Sequence, residues 1–145
     1  MANEVPYGIP VELLSATHNF ASNTFKLALY TSSPYTTAST VYVVTDETTG
    51  TEYSAGGNTL TGNAVSNVAN YATVDFTDSV WGSPTPATFS AAFGAIYDSS
   101  ASNKLVVILD FGGTKSCSNG TFTVTFPSPT SGSPSGADAL LSIQS

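Results

Sequence analysis

One histidine, one cysteine and ten carboxylates are the residues of this 145-residue chain that could serve as a base near neutral pH, a thiol nucleophile or metal ligands. His18 would have to serve any Ser-His-Asp or Cys-His pair, and beside Asn19 and Phe20 it has no Gly-x-Ser-x-Gly nucleophile elbow. Its type and place point to a structural histidine, hydrogen-bonding to backbone where an N-terminal segment joins the main domain. Cys117 lies between two serines with no adjacent His or cation to activate it, so it reads as a bystander thiol. Two carboxylate pairs remain. Asp46 and Glu47 are adjacent and in extended chain point to opposite faces, whereas Asp75 and Asp78 flank the end of a strand and could meet at a sheet rim. Glycoside hydrolysis needs two acids facing one bond, and a calcium loop needs denser oxygen ligands around a glycine. Neither pattern is present. Zinc would require several Cys or His, and Tyr53-Ser-Ala-Gly-Gly57 lacks the Lys-Ser/Thr and helix of a phosphate loop. These residues imply no enzyme, no cofactor and no metal.

Sugar binding asks for less, because exposed aromatic rings and hydroxyls suffice. Tyr30, Tyr35, Tyr42, Tyr53 and Trp81 could line such a groove, and Tyr35, Tyr53 and Trp81 are the candidates for exposed-loop or glycan contacts. The competing reading places the same rings in a core.

The elements that must carry these residues are short. Residues 1–19 hold two prolines in the first ten positions and read as an extended N-terminal arm, with one or two helical turns starting at Pro10. Residues 20–145 read as one domain. Phe25–Tyr30 alternates with Phe25, Leu27 and Leu29 on one face, and Thr40–Thr45 is β-branched and aromatic. Thr59–Thr61 follows a Gly-Gly break, and Tyr71–Phe76 should place Ala72, Val74 and Phe76 inward. Trp81–Pro86 reads as a rigid connector. Phe89–Tyr97 and Leu105–Phe111 are joined by a Ser-rich hairpin turn at Asp98–Asn103, and the second, apolar on both faces, belongs at the centre. Gly112–Asn119 reads as a turn. Thr121–Phe126 alternates cleanly with Phe122, Val124 and Phe126 inward, Pro127–Gly136 is a loop, and Ala139–Ile143 returns to the sheet. This pattern predicts an all-β fold: a single antiparallel β-sandwich or jelly-roll-like barrel.

Composition narrows the partners. Charged residues are 9% of the chain, against roughly 25% in ordinary soluble domains, while Ser and Thr number 21 each. Three lysines, no arginine and a formal charge of −7 argue against nucleic acid. No apolar run approaches the roughly 20 residues of a membrane helix, and Met1–Pro6 lacks the basic and apolar regions of a secretory signal.

Several segments resemble a family of small proteins encoded among the structural genes of tailed bacteriophages. The likeness runs through His18–Ser33, Thr51–Leu60, Val74-Asp-Phe76, Ala91–Tyr97, Val106–Gly112 and Gly120–Pro127, covering most of residues 17–143. These are packing and turn motifs, so the resemblance implies a virion structural role and carries no active site with it. It implies a capsid decoration, or cement, protein on the outer surface of the shell, made in the host cytoplasm. Its partners would be the major capsid protein and copies of itself, as a trimer. A tail or head fibre or adaptor module, or a glycan-binding β-sandwich, is the alternative. The arm supplies the candidate capsid contacts: Val5, Pro6, Tyr7, Ile9, Pro10, Leu13 and Leu14.

Overall fold

The computed structural model describes residues 3–68, 71–127 and 141–144. One short helix, α1 (Ile9–Leu14), precedes nine strands: β1 (Phe25–Tyr30), β2 (Asn58–Thr59), β3 (Ala64–Val68), β4 (Tyr71–Asp75), β5 (Ser79–Trp81), β6 (Ala87–Asp98), β7 (Lys104–Gly120), β8 (Phe122–Val124) and β9 (Leu141–Gln144). They form three antiparallel sheets ordered β2-β1-β6-β7, β3-β4-β9 and β5-β8, so the protein is all-β.

The four-stranded sheet is buried on both faces where β1 pairs with β6 and β6 with the Leu105–Leu109 half of β7. On one, Phe25, Leu27, Leu29, Ile96, Val107 and Leu109 pack against Val74, Phe76, Trp81, Phe122 and Val124 from the two smaller sheets. On the other, Ala28, Tyr30, Ala95, Tyr97, Leu105 and Ile108 are covered by Tyr35, Tyr42 and Val43 from the long β1–β2 connection. The alternation within β1 therefore separates two cores instead of core from solvent. A bulge explains the unbroken apolar run in β7. Ile96 pairs with Val107 and Tyr97 with Leu105, leaving Val106 as the extra residue, and Val106 and Val107 both enter the first core.

Several local expectations change. Thr40–Thr45 makes no strand; Val41 forms a single bridge to Lys104. Gly112–Asn119 is not a turn but the second half of β7, because the twelve-residue β6 offers partners as far as Cys117 and Gly120. Gly112 and Gly113, at φ of 69° and 128°, absorb the extra residues between the Phe93–Asp110 and Ala91–Lys115 pairs. Trp81 belongs to a strand, β3 carries no obvious sequence signal, and Ala72 faces out while Thr73 is buried against Ser66. Phe122, Val124 and Phe126 do point inward, and β9 does return to pair with β4. The 128–136 part of the expected loop lies outside the described residues.

The largest correction concerns the N-terminus. Residues 3–18 do not extend away but lie on their own domain. Glu4 exchanges backbone hydrogen bonds of 2.9 and 2.8 Å with Ile108 on the open edge of β7, and Tyr7 N donates to Thr37 O at 2.9 Å. Ile9 is 2% exposed and joins the first core. An uncovered strand edge and a site for an apolar side chain outweigh the entropy of a free arm.

Gly57 shows how tightly β1 is approached: at φ 68°, a Cβ there would lie 1.8 Å from the Leu27 carbonyl oxygen. Gly57→Ala should cost more than about 3 kcal/mol in urea denaturation. Gly112→Ala, at a similar φ but with nothing within 4 Å, should cost only about 1 kcal/mol from backbone strain.

Candidate functional site

The folded-back N-terminal segment is where chemistry-bearing and exposed apolar residues meet. Pro10 in the first turn starts α1, and Glu12 there suits the positive helix end. The helix stops in a Schellman motif: Thr17 N donates to Glu12 O at 2.8 Å, Ala16 N to Leu13 O at 3.1 Å, and Ala16 takes the left-handed φ of 56°. That reversal delivers His18 to the domain.

His18 is wholly buried between two carboxylates. Its Nδ1 is 2.9 Å from Asp98 Oδ2 and its Nε2 3.0 Å from Glu12 Oε2. Asp98 also accepts from Asn23 Nδ2 at 2.7 Å and from Ser100 N at 3.0 Å, and Lys104 Nζ donates to Glu12 Oε1 at 2.6 Å. Each ring nitrogen thus faces a carboxylate oxygen at hydrogen-bond distance. Burial alone would raise the Glu12 carboxyl, but hydrogen bonds from Lys104 and His18 outweigh it and hold Glu12 below the ordinary carboxylate value. The row of acid, imidazole and acid looks like a catalytic relay, yet both ring nitrogens are occupied and neither can take a proton from a nucleophile. The expected structural histidine is there, bonded to carboxylates instead of backbone. Sequence reasoning missed Glu12 and Asp98 as its partners, 6 and 80 positions away, and Lys104 as the partner of Glu12.

A second polar cluster stands on the other face of the sheet. Glu47 accepts from Tyr42 Oη (2.6 Å), Tyr53 Oη (2.7 Å) and Gly56 N (2.7 Å). Tyr30 and Tyr35 share a 2.6 Å hydrogen bond, and Tyr97 Oη donates to Gly56 O at 2.8 Å. The expected glycan contacts are therefore structural: Tyr35 and Trp81 are buried, and the half-buried Tyr53 spends its hydroxyl on Glu47. Trp81 packs against Tyr53, Phe89 and Phe122, its indole N–H without an acceptor among the described residues.

The carboxylates proposed as pairs serve the backbone. Asp75 Oδ1 accepts from Phe76 N and Asp78 Oδ1 from Phe126 N, while Asp46 sits exposed at φ 58°. Among the described residues, no three His, Cys, Asp or Glu side chains gather to hold a metal ion, and no helix is long and apolar enough to cross a membrane. A cleft of about 560 Å³ opens beside β7 and β8, between Phe111, Lys115, Thr123 and Phe126.

The candidate contacts of the N-terminal segment divide. Pro6 and Ile9 are buried, and the half-buried Leu13 packs against the first core. Val5, Tyr7, Pro10 and Leu14 face solvent, and Val11 joins them. Tyr7, just before α1, and Val11 and Leu14, three residues apart on it, are 74%, 68% and 91% exposed, and the spacing of the last two sets them on one side of the helix. No family model matches the chain, and no curated protein or solved structure shows significant similarity to it.

Burial raises the phenols of Tyr30, Tyr35, Tyr42, Tyr53 and Tyr97, with the Glu47 charge adding to the rise, and pushes Tyr97 up to about 12. A phenol whose folded value is raised contributes stability that is fully present below the unfolded value near 10 and lost as pH climbs toward the folded value. Stability in urea should thus be flat up to about pH 10 and fall steeply above it. Absorbance at 295 nm should show most of the seven tyrosines ionising only with unfolding.

Proposed function

We propose that the protein is a non-enzymatic structural component of a bacteriophage virion, a capsid decoration protein that docks on the assembled shell through the exposed side of its N-terminal segment. The observation that carries this reading is the outward exposure of Tyr7, Val11 and Leu14 on a segment otherwise anchored to the domain. Three large apolar side chains in water cost several kcal/mol relative to burial, at about 1.5–3 kcal/mol each. A rigid display of this kind suits a complementary protein surface and loses little entropy on binding. The surrounding surface supports an external position: it is acidic, free of arginine and rich in Ser and Thr, which gives little attraction for a packaged genome. The segment motifs that resemble phage structural proteins give the shell its place in the reading. Copies of the chain, as a trimer, would stabilise the particle by mass action, since they bind only the assembled lattice. The hydrogen-bonded tyrosines and buried Trp81 leave a glycan-binding role without its stacking residues.

Val11→Asp combined with Leu14→Asp should weaken binding to decoration-free particles by at least about a hundredfold, because two central apolar contacts become charges. The variant's melting temperature should stay within a few degrees of the parent, both side chains being exposed. Particles without the protein should break at lower temperature and milder osmotic shock. Normal particle stability with lost host adsorption would instead assign the protein to a tail or head fibre.

A further inference from the structure

The charged cluster around His18 fastens the same segment that displays Tyr7, Val11 and Leu14. Glu12 is its junction. The side chain leaves α1, one residue from Val11 and two from Leu14, and uses one oxygen for His18 and the other for Lys104. Among the described residues, the other polar holds on the segment between residues 4 and 18 are the Glu4–Ile108 exchange, the Tyr7–Thr37 bond, a 3.4 Å donation from Asn23 Nδ2 to Thr17 O and the His18–Asp98 bond. We propose that the Glu12–His18–Asp98–Lys104 cluster is a pH-sensitive latch: ionised Glu12 locks α1 in place, and protonation of Glu12 frees the helix and its apolar row from the domain.

Among the described residues, four charged or titratable groups face the latch. Glu12 comes from α1, His18 from the chain after it, Asp98 from the end of β6 and Lys104 from the start of β7; the neutral Asn23 amide and Ser100 N–H complete the shell around Asp98. The Phe20 and Phe25 rings, with centroids 6.2 and 6.4 Å from that of His18, wall the imidazole from water. Once Glu12 is protonated, it no longer offers a charged acceptor to Lys104 Nζ and to the buried His18 Nε2, and the cost of leaving those groups poorly paired falls on the α1 contact. Asp98 is also held by Asn23 Nδ2 and Ser100 N, so loss of the Glu12 contacts alone leaves the β6–β7 end of the cluster with its partners. The sign follows from Glu12 being held low in the folded state: the lock is complete at neutral pH and is lost as pH falls below the ordinary carboxylate range. The docking role defines what the latch controls; the latch itself is testable without any partner.

Hydrogen exchange read by mass spectrometry on the full chain tests it. At pH 7, amides of residues 9–18 should be protected, and the protection, corrected for intrinsic exchange, should fall by at least about tenfold on acidification to about pH 3 while β6 and β7 keep theirs. Glu12→Gln should lose that protection already at pH 7 and become insensitive to acid. Lys104→Met removes one cation from Glu12 and should move the acid transition to higher pH, which keeps the test open should Glu12→Gln unfold. Matching acid profiles for the parent, Glu12→Gln and Lys104→Met would overturn the latch, as would simultaneous loss of protection in β6 and β7. A working latch in a protein that ignores phage particles would overturn the docking reading alone.

Discussion

Burial of the centre of the β2-β1-β6-β7 sheet on both faces is the constraint from which the rest of the structure follows. A strand with two apolar faces needs two covers, and a domain of this size has few elements to supply them. The smaller sheets provide one cover. The β1–β2 connection and its tyrosines provide the other. Close approach is permitted by small residues at the middle of the ladder, Ala28 and Ala95 with Gly94. The β7 bulge adds Val106 to the first core without breaking the pairing with β6.

Covering both faces forces polar groups inside, and the protein pairs them internally instead of leaving them to solvent. On one face Glu47 is a shared acceptor for two tyrosine hydroxyls and a backbone amide. Beyond it, Thr48 donates from its hydroxyl to the Ser90 carbonyl, tying the connection to β6. At the sheet's end Asp98 is wholly buried but is matched by His18, Asn23 and Ser100 N. A buried ion pair is poor evidence of net stability, because desolvation offsets much of the attraction. Its consequence is orientation: the His18 cluster admits one placement of α1, which turns Ile9 inward and Val11 and Leu14 outward.

The low charge of the chain thus has two sides. Few ionised groups exist, and one of the three lysines, the histidine and two of the ten acids are used in one cluster holding the N-terminal segment. The remaining surface depends on hydroxyls for solubility, which makes the exposed apolar row on α1 stand out. A preformed surface of this kind binds with less ordering cost than an arm that folds on contact.

The sequence by itself determined the fold class, the positions of β1, β4, β6 and the Phe122–Phe126 alternation, and the paucity of catalytic groups. Those features depend on local periodicity and residue type, which need no knowledge of partners. It also marked residues 1–19 as different, but Pro6 and Ile9 were indistinguishable there from Tyr7 and Leu14. Only tertiary structure decided that the Gly112–Asn119 stretch is a strand, because its partners lie across the hairpin in β6. The same holds for Tyr35 and Trp81, whose rings fit a sugar platform or a core equally well until their neighbours are known. His18 is the clearest case. Its carboxylate partners come from a helix six residues before it and a strand eighty residues after it, and burial between them is a property of distance in space.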